Sequence, residues 1–215
     1  MEVLHRFRDS LRMTDQIRWT RCFSFACATG AALGILIEPA WAHSGEGASG
    51  GFWSGFLHPV TGLDHLIAMV GVGIWGAFLG VPAIWLLPVI FPLVMAVGGV
   101  IGIIGVPLPS VETWIAASAV AIGLGIALAL RPPLSLAILI VAVFAIFHGY
   151  AHGTEMPHTA NPLAYAVGFV LATGALHLCG IAFGLLERNS AGRIAVRATG
   201  GVIAMLGVGF LTGAL

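Results

Sequence analysis

The chain has 215 residues, 59% of them hydrophobic and only 8% charged, with a mean hydropathy of +1.01; soluble domains carry about 25% charged residues, so this is the composition of a membrane protein. Nine basic residues balance nine acids, which leaves no basic field to attract nucleic acid. Every basic residue is Arg, and without a Lys none of the 30 Gly can belong to a Walker-type phosphate loop, so nucleotide hydrolysis by that route is excluded.

At the N-terminus, Arg6, Arg8, Arg12, Arg18 and Arg21 precede an apolar stretch from Cys22 to Ile37 that exits through Ala40-Trp41-Ala42. A basic leader, a short apolar core and a small-x-small exit predict a cleavable secretory signal peptide over residues 1–42, cut after Ala42. Met13 offers an alternative start with a shorter leader. The competing reading is an uncleaved N-terminal span, for which the apolar core is short against the roughly 20 residues a bilayer needs. Cleavage would leave Cys179 as the single cysteine, with no internal disulfide. It would also give His43 a free α-amine beside its imidazole, with Glu46 three residues on. Residues 43–55 are expected to form a short periplasmic arm, in which His43 either captures a metal ion weakly or merely follows the cleavage site.

Six apolar runs follow, at about 56–80, 83–105, 112–130, 134–152, 161–186 and 194–214. Turn chemistry separates them: Gly80-Val81-Pro82, Val106-Pro107-Leu108-Pro109, Arg131-Pro132-Pro133, Met156-Pro157 to Asn161-Pro162, and Glu187 to Arg193. The expected fold is an all-α membrane protein, a single six-transmembrane-helix bundle over residues 56–215 behind the signal peptide. With the mature N-terminus exported, the connections after spans one, three and five face the cytoplasm. These hold Arg131, Arg188 and Arg193, with Arg197 in the first turn of span six, in keeping with the positive-inside rule. The expected location is therefore the bacterial inner membrane.

Between Gly47 and Leu186 the acids are Asp64, Glu112 and Glu155, each at the outward end of a span. Charge within a bilayer is costly and marks a pathway or a site. Histidines keep them company: His58 and His65 in span one, His148 and His152 at the end of span four, and His158 in the loop beyond. On a straight helix His58 and His65 are two turns apart and share a face, with His65 about 10 Å further in. Pro59 is expected to begin a helix just after His58. His148, His152 and Glu155, at i, i+4 and i+7, form a second stripe, and Gly62, Gly149 and Gly153 leave room for close helix approach. Two such stripes facing each other would make a ladder of nitrogen and oxygen ligands entering from outside.

Such a ladder suits a borderline divalent transition metal, since imidazole binds Ni, Cu, Zn and Fe and carboxylates supply neutralising charge. The metal-ligating candidates are His58, Asp64, His65, His148, His152 and Glu155, with Glu112, His177 and His43 as further points on a pathway. The metal is cargo, and no permanently bound cofactor is expected. A lone intramembrane His more often hydrogen-bonds between helices, and His177, with no acid near it in sequence, stands open between an inner relay ligand and a packed polar residue. Two other classes gather such residues. An intramembrane zinc hydrolase needs three fixed ligands and a general base, and no H-E-x-x-H occurs; a haem-binding subunit needs an axial pair such as His65 with His148, where nearby acids favour a cation instead.

At these residues the chain resembles a known family. His58-Pro59-Val60-Thr61-Gly62-Leu63-Asp64-His65 is similar to the H-P-x-x-G-x-D-H signature of the HupE/UreJ family of nickel permeases, and Phe147-His148-Gly149-Tyr150-Ala151-His152-Gly153-Thr154-Glu155-Met156-Pro157 resembles its second block. Similarity continues through Val111-Glu112-Thr113 and from Tyr165 to Leu178. The resemblance implies a permease and no enzyme: secondary uptake of Ni²⁺ from periplasm to cytoplasm, commonly for hydrogenase or urease maturation, with metal-pathway roles for His58, Asp64, His65, His148, His152 and Glu155. Co²⁺ is the alternative cargo within the family.

Overall fold

The structure, a computed structural model, describes residues 48–155 and 161–215. The expected signal peptide, its cleavage site, His43 and His158 lie outside the described residues. Among these residues the regular structure is wholly helical: α1 Ala48–Thr61, α2 Leu63–Leu79, α3 Ala83–Ile103, α4 Val111–Ala127, α5 Leu134–Glu155, α6 Pro162–Gly184 with a 3-10 turn Leu185–Arg188, and α7 Ser190–Thr212.

The helices α3, α5, α6 with its 3-10 turn, and α7 are each long and apolar enough to cross a bilayer. The expected first span is a broken one: α1 and α2 meet at Gly62 with a bend of 77°. Its helix also begins at Ala48, ahead of the expected start at 56, so residues 48–55 are helical. Pro59 does not begin a helix as its position after His58 led us to expect; it lies inside the last turns of α1, where a missing N–H and a fixed φ weaken the helix just ahead of the bend. The third expected span, 112–130, is the shorter helix α4 of 17 residues, about 26 Å at 1.5 Å per residue against a hydrocarbon core of about 30 Å.

Helix ends follow the expected punctuation. Asn161 and Asn189 cap α6 and α7 with side-chain oxygens that accept from Ala164 and Gly192 N–H at 3.0 and 2.7 Å. α3 closes with Gly105 at φ 74° and α4 with Ala129 at φ 55°. In both, the next amide (Val106, Leu130) donates back to the carbonyl five residues earlier, at 3.2 and 2.8 Å, which is the Schellman closure.

The core forms around α2, whose buried residues include Met69, Val72, Ile74 and Trp75. α2 packs on α6 and also against α3 and α4, while α3 pairs with α5, α4 with α7, and α1 with α6. In lipid no hydrophobic force draws helices together, so association relies on close van der Waals approach across small residues. The expected role of Gly149 and Gly153 is seen directly: a Cβ there would collide with the backbone carbonyls of Met95 and Gly99 on α3. Gly73 and Gly180 play the same part between α2 and α6, and Gly123 and Gly207 between α4 and α7.

The two ends of this bundle differ in charge. At one end, Arg131 reaches Glu187 at 3.7 Å and lies over the Phe78 ring at 4.6 Å. Arg197 donates to the Ala127 carbonyl at 2.8 Å, a cation placed on the exposed C-terminal carbonyls of α4. The other end carries His58, His65, His152 and Glu155, with Asp64 beside them.

Candidate metal centre

Two broken or ending helices deliver the side chains. At the end of α1, Thr61 Oγ1 donates to the carbonyls of Leu57 and His58 at 3.1 and 3.3 Å, and the Gly62 amide closes on the His58 carbonyl at 3.1 Å. The chain then turns through an extended Gly62 into α2. A Cβ on Gly62 would meet His65 Cδ2 at 2.9 Å and Asp64 Oδ1 at 3.2 Å, so the absence of a side chain there lets His65 fold back toward α1. The result corrects the straight-helix expectation: instead of standing about 10 Å deeper, the His65 ring stacks on His58 with centroids 5.7 Å apart.

α5 supplies the opposing stripe in its last two turns. The His152 ring lies 4.8 Å from His58 and 4.2 Å from His65, and Glu155 Oε2 is 3.5 Å from His58 Nε2. His58, His65, His152 and Glu155 each offer one ligand atom, all within 4.8 Å of one another. Tetrahedral ligands at about 2.0–2.1 Å from an ion stand about 3.4 Å apart, so inward movements of up to about 1 Å by each side chain would close this group on a cation. The side chains of His58 and Glu155 are 28% and 50% exposed, whereas His65 and His152 are buried. His58 and Glu155 thus form the accessible part of the group, and His65 and His152 its buried part.

Buried polar atoms are normally hydrogen-bonded, and an unsatisfied one costs about 1–3 kcal/mol. Here His65 Nδ1 and both ring nitrogens of His152 are buried without a hydrogen-bond partner; Asp64 Oδ2, at 3.7 Å from His65 Nδ1, is too distant to bond it. Imidazoles held this way are lone pairs kept out of water and available to a cation.

The remaining expected residues fall around this group. Asp64 stands beside His65 and adds negative charge to it. His148, one turn deeper on α5 and fully buried, holds its Nδ1 3.0 Å from the Phe144 carbonyl. A carbonyl only accepts, so Nδ1 carries the proton and Nε2, which has no protein partner, keeps its lone pair. Its ring is 5.5 Å from His65. Glu112 is exposed in the first turn of α4 and outside the four-residue group; Trp114, two residues on, stacks on Phe147 at 4.9 Å, setting this end of α4 beside α5. His177 is buried on α6, beyond Phe91.

Sequence reasoning missed the aromatic lining. Phe169 packs 4.3 Å from His152, Tyr165 lies 6.2 Å from His58, and Phe91 sits 5.6 Å from His148. The signal was present in the four-residue period of Tyr165, Phe169, Thr173 and His177, one face of α6. Phe91 had only its flanking Pro88 and Pro92 to distinguish it. Neutral imidazoles with a carboxylate at a bilayer edge can bind and release a divalent cation without proton abstraction or bond cleavage.

The sequence model of the family described as HupE / UreJ protein matches residues 31–210. The chain is 41% identical over 182 residues to Protein HupE of Rhizobium leguminosarum bv. viciae, covering 84% of this chain and 95% of that relative. No solved structure matches. The chain belongs to the HupE/UreJ family, a family of transporters and not of enzymes.

Proposed function

We propose that the protein is a secondary permease that takes up Ni²⁺ from the periplasm to the cytoplasm across the bacterial inner membrane. The observation that carries this reading is the half-open group of His58, His65, His152 and Glu155, with ligand atoms within 4.8 Å, followed inward by the Nε2 lone pair of His148. Asp64 holds charge beside the entrance, and Glu112 attracts cations toward it. The mature N-terminus, which begins at His43, follows the signal peptide into the periplasm. The broken pair α1–α2 and the short α4 complete six crossings with α3, α5, α6 and α7, and the arginine end faces the cytoplasm.

Nickel is favoured over cobalt by the resemblance of the two motif blocks to nickel permeases; hydrogenase or urease maturation is the destination. Any nitrogen and oxygen site prefers Cu²⁺ by the Irving–Williams order, so selection rests on geometry and supply. The test is radiotracer Ni²⁺ uptake into proteoliposomes with Co²⁺, Zn²⁺ and Cu²⁺ as competitors. Saturable Ni²⁺ accumulation is expected; its absence in vesicles holding folded protein would overturn the reading, and stronger uptake of Co²⁺ would replace the cargo.

A further inference from the structure

Beyond the outer group lies a second set of buried polar atoms that the fold does not satisfy. Neither ring nitrogen of His177 has a hydrogen-bond partner, nor has Thr173 Oγ1, and both residues are almost wholly buried. They sit one turn apart on the face of α6 that begins with Tyr165 and Phe169, the residues bordering His58 and His152. Two measures give the depth. His177 is eight residues along α6 from Phe169, about 12 Å. Its backbone carbonyl is pressed against Gly73, where a Cβ would collide with it, and Gly73 is eight residues along α2 from His65, again about 12 Å. One aromatic ring neighbours both histidines: Phe91 is 5.6 Å from His148 and 5.6 Å from His177.

A purely structural His at such a place would be expected to spend its nitrogens on a neighbouring carbonyl, as His148 does with Phe144. His177 spends neither, and the close crossing of Gly73 and Gly180 holds its backbone in place. We infer that His177, with Thr173 Oγ1 beside it, is an inner station for the transported divalent cation, reached from His148 past the Phe91 ring. This rests on the permease reading. The step is a ligand exchange, in which the ion leaves the His148 nitrogen and takes that of His177, with no bond cleaved and no electron moved.

The test compares wild type with His177→Gln, which keeps size and polarity, His177→Ala, and His177→Cys, whose thiolate can still bind metal. Ni²⁺ alone is the probe, in equilibrium binding to the purified full chain and in proteoliposome uptake. For His177→Gln, affinity at the outer group and the KM for uptake should stay within about threefold of wild type while the maximal rate falls at least about tenfold, since a station after capture affects turnover rather than entry. His177→Cys should recover a substantial part of that rate. Uptake by His177→Gln equal to an active wild type, or loss of all three variants from the membrane, would overturn the inference by assigning His177 a packing role. A wild type without uptake would overturn the permease reading, and this inference with it.

Discussion

His58, His65 and His152 are three imidazoles around one point, and the protein accepts unsatisfied buried nitrogens to hold them there. In the proposed metal centre, removing His65 or His152 takes away a ligand, so His65→Ala and His152→Ala should weaken Ni²⁺ binding by about 10–100-fold or more, read by calorimetry on purified protein. The same physics predicts a gain elsewhere. His152→Leu replaces a buried ring with two unpartnered nitrogens by an apolar side chain, and the metal-free variant should melt no lower than wild type, and higher if the unsatisfied nitrogens outweigh the lost packing. A clear loss of stability would mean that the ring is held for its packing. Protons compete with the metal for the same nitrogens, and an imidazolium has no lone pair to offer. Metal affinity should therefore fall on acidification, measured from about pH 8 to about pH 4; a flat profile would remove the histidines from the coordination sphere.

Among the elements, the bend between α1 and α2 and the glycine crossings are local features with separable tests. Gly62→Ala should leave the helices intact, because its extended backbone at φ −78° suits any residue. The added Cβ must push His65 and Asp64 aside, so metal affinity is expected to fall while the melting temperature holds. The reverse pattern is expected at Gly149, where a Cβ would meet the Met95 backbone itself. Backbone cannot move aside as a side chain can, and Gly149→Ala should cost about 1–3 kcal/mol or more by overpacking, seen as a lower melting temperature. At the end of α4, Ala129 holds φ 55°, a left-handed conformation that costs a residue bearing a Cβ about 1–2 kcal/mol. Ala129→Gly relieves that cost less the extra entropy of an unfolded Gly, and a modest rise in thermal stability is the expected outcome.

For the whole molecule, the governing feature is its charge polarity: Arg131, Arg188, Arg193 and Arg197 gather at one end, and the acids Asp64 and Glu155 at the other. In the proposed direction of uptake, a cation entering from the acidic end meets attraction first and positive charge only on leaving. The proposed orientation puts the turn between α3 and α4 outside and the start of α7 inside. With Cys179 replaced, a membrane-impermeant maleimide should label Val106→Cys in intact spheroplasts and Ser190→Cys only after permeabilisation. The opposite labelling would reverse the orientation.

Much of this was legible in sequence because it depends on composition and local chemistry. Apolar runs between Pro and Gly punctuation located the helices, since backbone polar groups in lipid must be satisfied within the segment, and the i, i+4 and i+7 pattern of His148, His152 and Glu155 put them on one helix face. Sequence reasoning missed the bend at Gly62: Pro59 reads as a helix start and Gly62 as a site of close helix approach, whereas Pro59 lies inside α1 and the extended Gly62 breaks the run, with α1 and α2 both packed on α6. That bend decided the site, bringing His58 and His65 to one point instead of two depths. The aromatic lining and the depth of His177 also depended on which helices cross and where their glycines meet, which are contacts between residues far apart in the chain. Periodicity determines the face that a helix presents, while tertiary packing alone determines what that face meets.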